Sequence, residues 1–133
     1  MDKRTLAYWA VTGFFCLGMT GSGIMNLLRP PEIADSFAQL GFPAWFPVWL
    51  GLWKLAGVAT TLAPGLARLK EWSTAGFTIV LSSAAAAHII AGDPAAKAVA
   101  PLVILAMALG SWALRPAGRR LADHAAEAGP AGR

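Results

Sequence analysis

Residues 5–28 read TLAYWAVTGFFCLGMTGSGIMNLL and contain no charged side chain. A helix needs about 20 apolar residues to cross a hydrocarbon core roughly 30 Å thick, so this stretch is long enough to span a membrane. Three more apolar stretches follow along the chain, over residues 44–63, 72–91 and 98–114. Their only titratable side chains are Lys54 and His88. We therefore expect an all-α integral membrane protein with four spans, whose transmembrane domain is residues 1–114.

The composition argues against an ordinary soluble domain. Only 14% of the residues are charged, whereas soluble domains carry roughly 25%. A soluble four-helix bundle also needs a polar face with a period of about 3.6 residues, and the stretch TIVLSSAAAAHIIAG at 78–92 has no charged face. The net charge of +4 does not indicate nucleic-acid binding, because no soluble domain remains to carry a basic patch.

The basic residues predict the orientation, because the cytoplasmic loops of membrane proteins carry the excess of Lys and Arg. With the N-terminus inside, most of them lie on the cytoplasmic side, namely Lys3, Arg4, Arg68, Lys70, Arg115, Arg119, Arg120 and Arg133. Only Arg29 and Lys97 lie at the outer side. Short connections make consecutive helices antiparallel neighbours. We expect an up-down-up-down four-helix bundle, N-in/C-in, in a bacterial-type cytoplasmic (inner) membrane.

Two segments lie outside the spans. The first connection, 29–43, has prolines at both ends, and we expect a helical turn at the outer face that starts near Pro31. Residues 115–133 are expected to form a basic cytoplasmic tail.

Lys54 is the most unusual residue, because a Lys at the centre of a span costs about 2.5–3.5 kcal/mol even on the lenient insertion scale. Its position in the second span places it roughly 15 Å below the outer surface, near the midplane. His88 lies roughly 6 Å below that surface, and Asn26 and Ser22 share one face of the first span. These depths predict a polar cavity in the outer half of the bundle, with Lys54 at its floor and His88 and Asn26 near its mouth.

The expected chemistry of this cavity is acid–base chemistry. Lys54 and His88 are the predicted catalytic residues: Lys54 protonates or hydrogen-bonds an oxygen of the ligand, and His88 exchanges the proton with water. The residues expected to bind the substrate are Ser22, Asn26, Trp49, Trp53 and Asp93. No metal site is expected, because the two histidines have no nearby cysteine or carboxylate cluster.

Structural interpretations of these residues remain open. Lys54 can be held by backbone carbonyls or a serine, and Asn26 and Ser22 can simply bridge helices. Glu71 is interpreted as a solvated residue in the first turn of the third span. A triad drawn from Ser22, His88 and Asp93 is a weak pattern without geometric support.

Four short motifs stand in and around the second and third spans: LGFP at 40–43, GLWK at 51–54, LKEW at 69–72 and HIIAGD at 88–93. With the first span, they resemble the DoxX-like family of small four-helix membrane proteins over about residues 8–114. The resemblance implies the same topology and puts Lys54, Glu71, His88 and Asp93 on matching family positions. Members often carry a Lys where this chain has Asn26.

The resemblance does not imply one reaction, since some relatives are linked to thiosulfate or quinone redox systems and others to oxidative-stress responses. The leading hypothesis is a protein that binds, and by acid–base chemistry converts, a lipophilic small molecule that is quinone-, polyketide- or terpene-like. Isomerisation, cyclisation or ring opening needs the fewest parts. No intrinsic cofactor is expected, so a redox role would require a bound quinone or a soluble partner.

Two alternatives stay open. The first is a non-catalytic membrane subunit that anchors or supports a redox or stress-response partner. The second is a transporter, which at this size would have to form a homo-oligomer to build a pathway across the lipid bilayer.

Overall fold

The computed structural model describes residues 1–122, and these residues form helices and no strands. The helices are α1 (Lys3–Leu28), α2 (Pro31–Gln39), α3 (Phe46–Leu62), α4 (Ala67–Ile90) and α5 (Ala95–Leu114), followed by a 3-10 turn at Ala117–Arg119. The prediction of an all-α protein is confirmed for this part of the chain. Residues 123–133, which include Arg133 and most of the predicted basic tail, lie outside the described residues.

Three helices, α1, α4 and α5, are long and apolar enough to cross a membrane. The remaining apolar helix, α3, has 17 residues, which at 1.5 Å per residue makes it about 25 Å long. That length falls just short of a hydrocarbon core of roughly 30 Å. Three of the four expected spans are therefore confirmed as helices long and apolar enough to cross a membrane, and the crossing by α3 stays a prediction.

The start of α4 differs from the predicted span. The helix begins at Ala67 and not at residue 72, and its first turns carry Arg68, Lys70 and Glu71. An apolar stretch in the sequence ends at the first charged residue. A helix can continue beyond that residue, because its backbone hydrogen bonds do not depend on the lipid.

At the start of α1, Asp2 accepts a 2.7 Å hydrogen bond from the Thr5 amide. The hydrogen bonds from Thr5 hold the pKa of the Asp2 carboxyl below its usual value.

The four apolar helices pack in a ring, in which α1 and α4 each contact α3 and α5. Contacts at one end show how they run. Arg119, just after α5, lies 3.5 Å from the Tyr8 hydroxyl of α1 and 3.2 Å from the Thr61 carbonyl of α3. Glu71, near the start of α4, contacts Arg115. The start of α1, the end of α3, the start of α4 and the end of α5 thus share one end of the molecule.

At the opposite end, α2 connects α1 to α3. It begins at Pro31, as the sequence predicts. Proline lacks an amide hydrogen, but at the first position of a helix that hydrogen would have no partner within the helix. Phe37 of α2 lies edge-on to Phe42, which stacks on Phe46 at the start of α3 with ring centroids 4.5 Å apart. This aromatic cluster holds α2 against the first turn of α3.

The centre of the ring is apolar and closely packed. Its buried side chains are Phe15, Cys16, Met19, Val58, Phe77, Leu81 and Ala108. Phe15 and Phe77 meet edge to face, with centroids 5.0 Å apart. One buried polar contact, the 2.6 Å hydrogen bond between Thr12 and Ser111, joins α1 to α5. In a membrane, such van der Waals packing and interhelical hydrogen bonds hold helices together.

Candidate functional site

Two glycines set the distance between α1 and α3. A Cβ atom on Gly51 would lie 2.7 Å from the carbonyl oxygen of Gly23, and one on Gly23 would lie 3.3 Å from the Gly51 carbonyl. The helices therefore approach each other backbone to backbone, as small residues allow in membrane proteins. Lys54 follows Gly51 by one turn, so the same crossing brings its side chain to α1.

At this crossing, the side chain of Lys54 meets two polar residues near the C-terminal end of α1, Ser22 and Asn26. Lys54 Nζ donates to Ser22 Oγ at 2.8 Å. Asn26 is buried, and its neighbours assign the orientation of its amide. The Asn26 oxygen accepts from Lys54 Nζ at 3.2 Å, and its nitrogen donates to the Ser22 carbonyl at 3.2 Å. Lys54, Ser22 and Asn26 thus form one hydrogen-bonded cluster.

Lys54 also lines a groove of about 340 Å³ between α3 and α4. The other lining residues are Leu50, Trp53, Ala56, Gly57 and Thr60 of α3 and Leu69, Trp72, Ser73, Gly76, Phe77 and Val80 of α4. Lys54 is the only ionisable side chain among them. Trp53 and Trp72, at the sides of the groove, are 60% and 67% exposed, so the groove opens at the lateral surface of the ring.

Glycines shape the groove. Gly57 lies against Phe77, whose ring would come within 2.5 Å of a Cβ at that position. Gly76 faces open space, because nothing lies within 4 Å of its Cβ position. The sequence analysis did not predict that α4 forms one side of a groove. Glycine has no side chain that could indicate a binding role, and only its small size could have indicated a gap between helices.

This groove is not the predicted outer-half cavity, because it does not join Lys54 to His88. On α4 the groove ends at Val80, and His88 lies about 12 Å further along the helix. Neither His88 nor Asn26 lines it. Along α3 the groove runs from Leu50 past Lys54 to Thr60, near the end that α3 shares with the start of α1. Counting residues gives a depth along each helix but does not say which way a side chain points.

His88 instead pairs with Asp93 across the turn between α4 and α5. His88 Nδ1 donates to Asp93 Oδ2 at 2.6 Å, and the amide of Asp93 donates to the His88 carbonyl at 3.0 Å. Gly92 makes the turn with a φ of 72°, a conformation that glycine adopts without steric cost. Lys97 Nζ lies 3.4 Å from Asp93 Oδ1. The hydrogen bond from His88 is the main cause that holds the pKa of Asp93 below its usual value.

The two predicted tryptophans have different positions. Trp53 lines the groove, but Trp49 does not. Their rings meet nearly at right angles with centroids 5.7 Å apart, and Trp49 is half exposed on the outer face of α3. Asp93 also lies away from the groove, with His88. Of the predicted binding residues, Ser22 and Asn26 contact Lys54, and Trp53 shares the groove with it.

A second polar cluster lies at the end of the ring where α4 begins. Glu71 Oε1 accepts from Arg115 at 2.6 Å, and Glu71 Oε2 accepts from Trp112 Nε1 at 2.7 Å. Arg115 is 5% exposed. The interpretation of Glu71 as a solvated first-turn residue is therefore wrong, because Glu71 ties α4 to α5. The resemblance of LKEW to a family motif was the one available signal.

Two further cations cap α3. The buried ammonium of Lys70 donates to the carbonyls of Thr60, Thr61 and Ala63. Arg119 donates to the Leu62 carbonyl at 2.9 Å. These carbonyls end a helix and have no partner within it, so the two side chains close this end of α3 instead of forming a ligand site. Among residues 1–122, no group of three His, Cys, Asp and Glu side chains is arranged to hold a metal ion.

Comparison with known proteins supports one assignment. Neither the curated proteins nor the solved structures give a match. A family model described as the DoxX-like family matches residues 10–111, which include the α1–α3 crossing, Lys54, Glu71, His88 and Asp93. This match covers most of the chain, and the protein therefore belongs to the DoxX-like family.

Proposed function

We propose that this DoxX-like protein binds a lipophilic small molecule in the groove between α3 and α4, and that Lys54 makes the polar contact. The observation that carries the proposal is that Lys54, a Lys on an apolar helix, lines an apolar groove of about 340 Å³. Small-molecule sites are concave and mostly apolar, with a few polar groups that orient the ligand. Ionisable residues inside a membrane mark functional sites by default.

The proposal includes a membrane arrangement. In it, α3 is the fourth span, and the end that carries Lys3, Arg4, Lys70, Arg115 and Arg119 faces the cytoplasm. The clustering of these basic residues at one end supports this orientation. The groove then lies in the cytoplasmic half and opens toward the lipid beside Trp53 and Trp72, so a lipophilic ligand enters from the bilayer and not from water.

Binding, and not catalysis, is what the groove supports best. A proton relay needs a second titratable group within reach of the ligand, and His88 is engaged with Asp93 outside the groove. Acid–base conversion of a bound quinone-, polyketide- or terpene-like molecule therefore rests on Lys54 alone. The same observation favours the second candidate, a non-catalytic membrane subunit that supports a redox or stress-response partner and holds a lipophilic molecule for it.

The test is to purify the protein from its native membrane and identify small molecules that leave with it by mass spectrometry. The wild type is compared with Gly76→Leu, which fills open space in the groove wall. Gly13→Leu is the matched control, because Gly13 also faces open space on an apolar helix but does not line the groove.

We expect one lipophilic molecule that is enriched over bulk lipid in the wild type and in Gly13→Leu and is lost in Gly76→Leu. Equal amounts of the same molecule with all three proteins would overturn the proposal, because its retention would not depend on the groove.

A further inference from the structure

The charge of Lys54 has no carboxylate partner among the described residues. The ion pairs found among residues 1–122 join His88 and Lys97 to Asp93, and Arg115 to Glu71. The partners of Lys54 are a hydroxyl, on Ser22, and an amide, on Asn26. Both accept a hydrogen bond, but neither carries a negative charge.

This arrangement leaves one donor free. An ammonium group has three N–H donors, and Ser22 and Asn26 accept from two of them. Both acceptors belong to α1, whereas the groove that Lys54 lines lies between α3 and α4. The third donor is therefore the one available to a molecule in the groove.

We propose, on the basis of the function proposed above, that the ligand is a lipophilic weak acid, an ionised carboxylate on an apolar body. Its carboxylate accepts from the third N–H of Lys54 and neutralises the charge. A buried charge is strongly unfavourable when it is unpaired and much less so when it is paired and hydrogen-bonded.

The rest of the groove fits the apolar body of such a molecule. Apart from the hydroxyls of Thr60 and Ser73, its walls are aliphatic, aromatic and glycine surfaces, and the lining residues include no second charge of either sign. From Lys54 the groove extends two turns along α3 to Thr60 and opens beside Trp72. The acid group would lie beside Lys54, and the apolar chain would follow the groove toward the lipid.

A site that recognises a carboxylate ranks ligands of equal length by their charge. A neutral ester of the same length has the same apolar body but offers no charge to Lys54. A quaternary ammonium of that length places a like charge beside it. The acid should therefore bind best, the ester weakly, and the cation least.

The test uses 9,10-dibromostearic acid and its methyl ester as probes, because bromine quenches the fluorescence of the groove residues Trp53 and Trp72. Each probe is titrated at neutral pH into the purified protein in detergent. The proteins compared are the wild type, Lys54→Met, Lys54→Arg and the groove-filling Gly76→Leu, with Gly13→Leu as the control. Competition with palmitic acid or hexadecyltrimethylammonium tests the sign of the charge.

We expect saturable quenching in the wild type at a concentration at least tenfold lower for the acid than for the ester. Lys54→Arg and Gly13→Leu should keep this preference, Lys54→Met should lose it, and Gly76→Leu should lose saturable quenching by both probes. Palmitic acid should compete, and the cation should not.

The remaining outcomes each overturn a defined claim. Equal saturable binding of acid and ester in the wild type, abolished by Gly76→Leu, would refute the acid and leave the proposed groove function intact. A preference that survives in Lys54→Met would also refute it, since another group would then recognise the acid. Absence of saturable quenching by both probes in the wild type would overturn the acid ligand and count against the groove as a lipid-accessible site.

Discussion

Lys54 Nζ lies 2.8 Å from Ser22 Oγ. The two residues lie on either side of the crossing of α1 and α3, where Gly23 and Gly51 allow the two backbones to approach closely. The hydrogen bond joins α3 to α1, and the Asn26 side-chain oxygen accepts from the same ammonium at 3.2 Å. The same side chain lines the groove between α3 and α4. Helix packing on one side of α3 and the proposed ligand binding on the other thus both involve Lys54, and mutation can separate the two roles.

The helix crossing is tested by Gly51→Ala. The added Cβ would meet the Gly23 carbonyl at 2.7 Å, and a backbone atom cannot move aside as a flexible side chain can. We expect a loss of about 1–3 kcal/mol in stability, the usual cost of overpacking. The control is Gly21→Ala, which has nothing within 4 Å and should be neutral or slightly stabilising. Thermal unfolding in detergent measures both, and equal midpoints would contradict the close crossing.

Lys54→Met separates the two roles of Lys54. The substitution keeps the apolar stem and removes a buried charge together with its hydrogen bonds, so the changes in stability should offset to within about 1.5 kcal/mol. Ligand retention should nevertheless be lost. Lys97→Met is the control, because Lys97 is half exposed and lies outside the groove. A variant of Lys54 that unfolds in mild detergent while the control stays folded would show that the residue is mainly structural.

Glu71→Gln tests the polar cluster between α4 and α5. Arg115 is almost fully buried, and loss of the Glu71 carboxylate leaves its charge without a partner. We expect a loss of about 1–3 kcal/mol, toward the lower end because Glu71 itself is partly exposed. Glu32→Gln in α2 should change stability by less than about 0.5 kcal/mol, as for other exposed surface positions. A double-mutant cycle with Arg115→Met should give a clear coupling energy, and additive effects would argue against the ion pair.

The pair of His88 and Asp93 predicts a dependence on pH. The pKa of Asp93 is lowered from its usual 3.8, chiefly by the hydrogen bond from His88. Its contribution to stability is therefore present above about pH 4 and is lost as the pH falls through the lower value of the folded state. Between about pH 5 and about pH 2.5, the wild type should lose more stability than Asp93→Asn, which cannot titrate. Parallel pH curves from thermal unfolding would contradict this.

The orientation is tested with alkaline phosphatase, which is active only outside the cytoplasm. A fusion after Arg133 should be inactive, and a fusion after Asp93, in the turn between α4 and α5, should be active. The prediction follows from the basic residues gathered at the end of the molecule where α1 begins. Activity of the Arg133 fusion would mean that the number of membrane crossings is odd or that the orientation is reversed.

The linear sequence was enough to predict an all-α membrane protein and its apolar helices, and it singled out Lys54 as a candidate site residue. Apolar length and the spacing of charges are properties of consecutive residues, so a linear pattern records them. The same is true of α2, which starts at Pro31 as expected, and of the end of α1 at Leu28. The start of α4 was misplaced because the pattern reports where apolar residues stop, and a helix does not have to stop there.

Which side chains meet depends on how the helices pack, and the sequence does not show this. His88 and Lys54 have depths that suggested one cavity, but rotation about each helix axis sends His88 to Asp93 and Lys54 to Ser22 and Asn26. The groove depends on α3 and α4 packing less closely than the other pairs of neighbouring helices do, which no residue of either helix reveals alone. Depth is set by the number of residues along one helix, whereas facing direction and gaps are set by packing between helices that are distant in sequence.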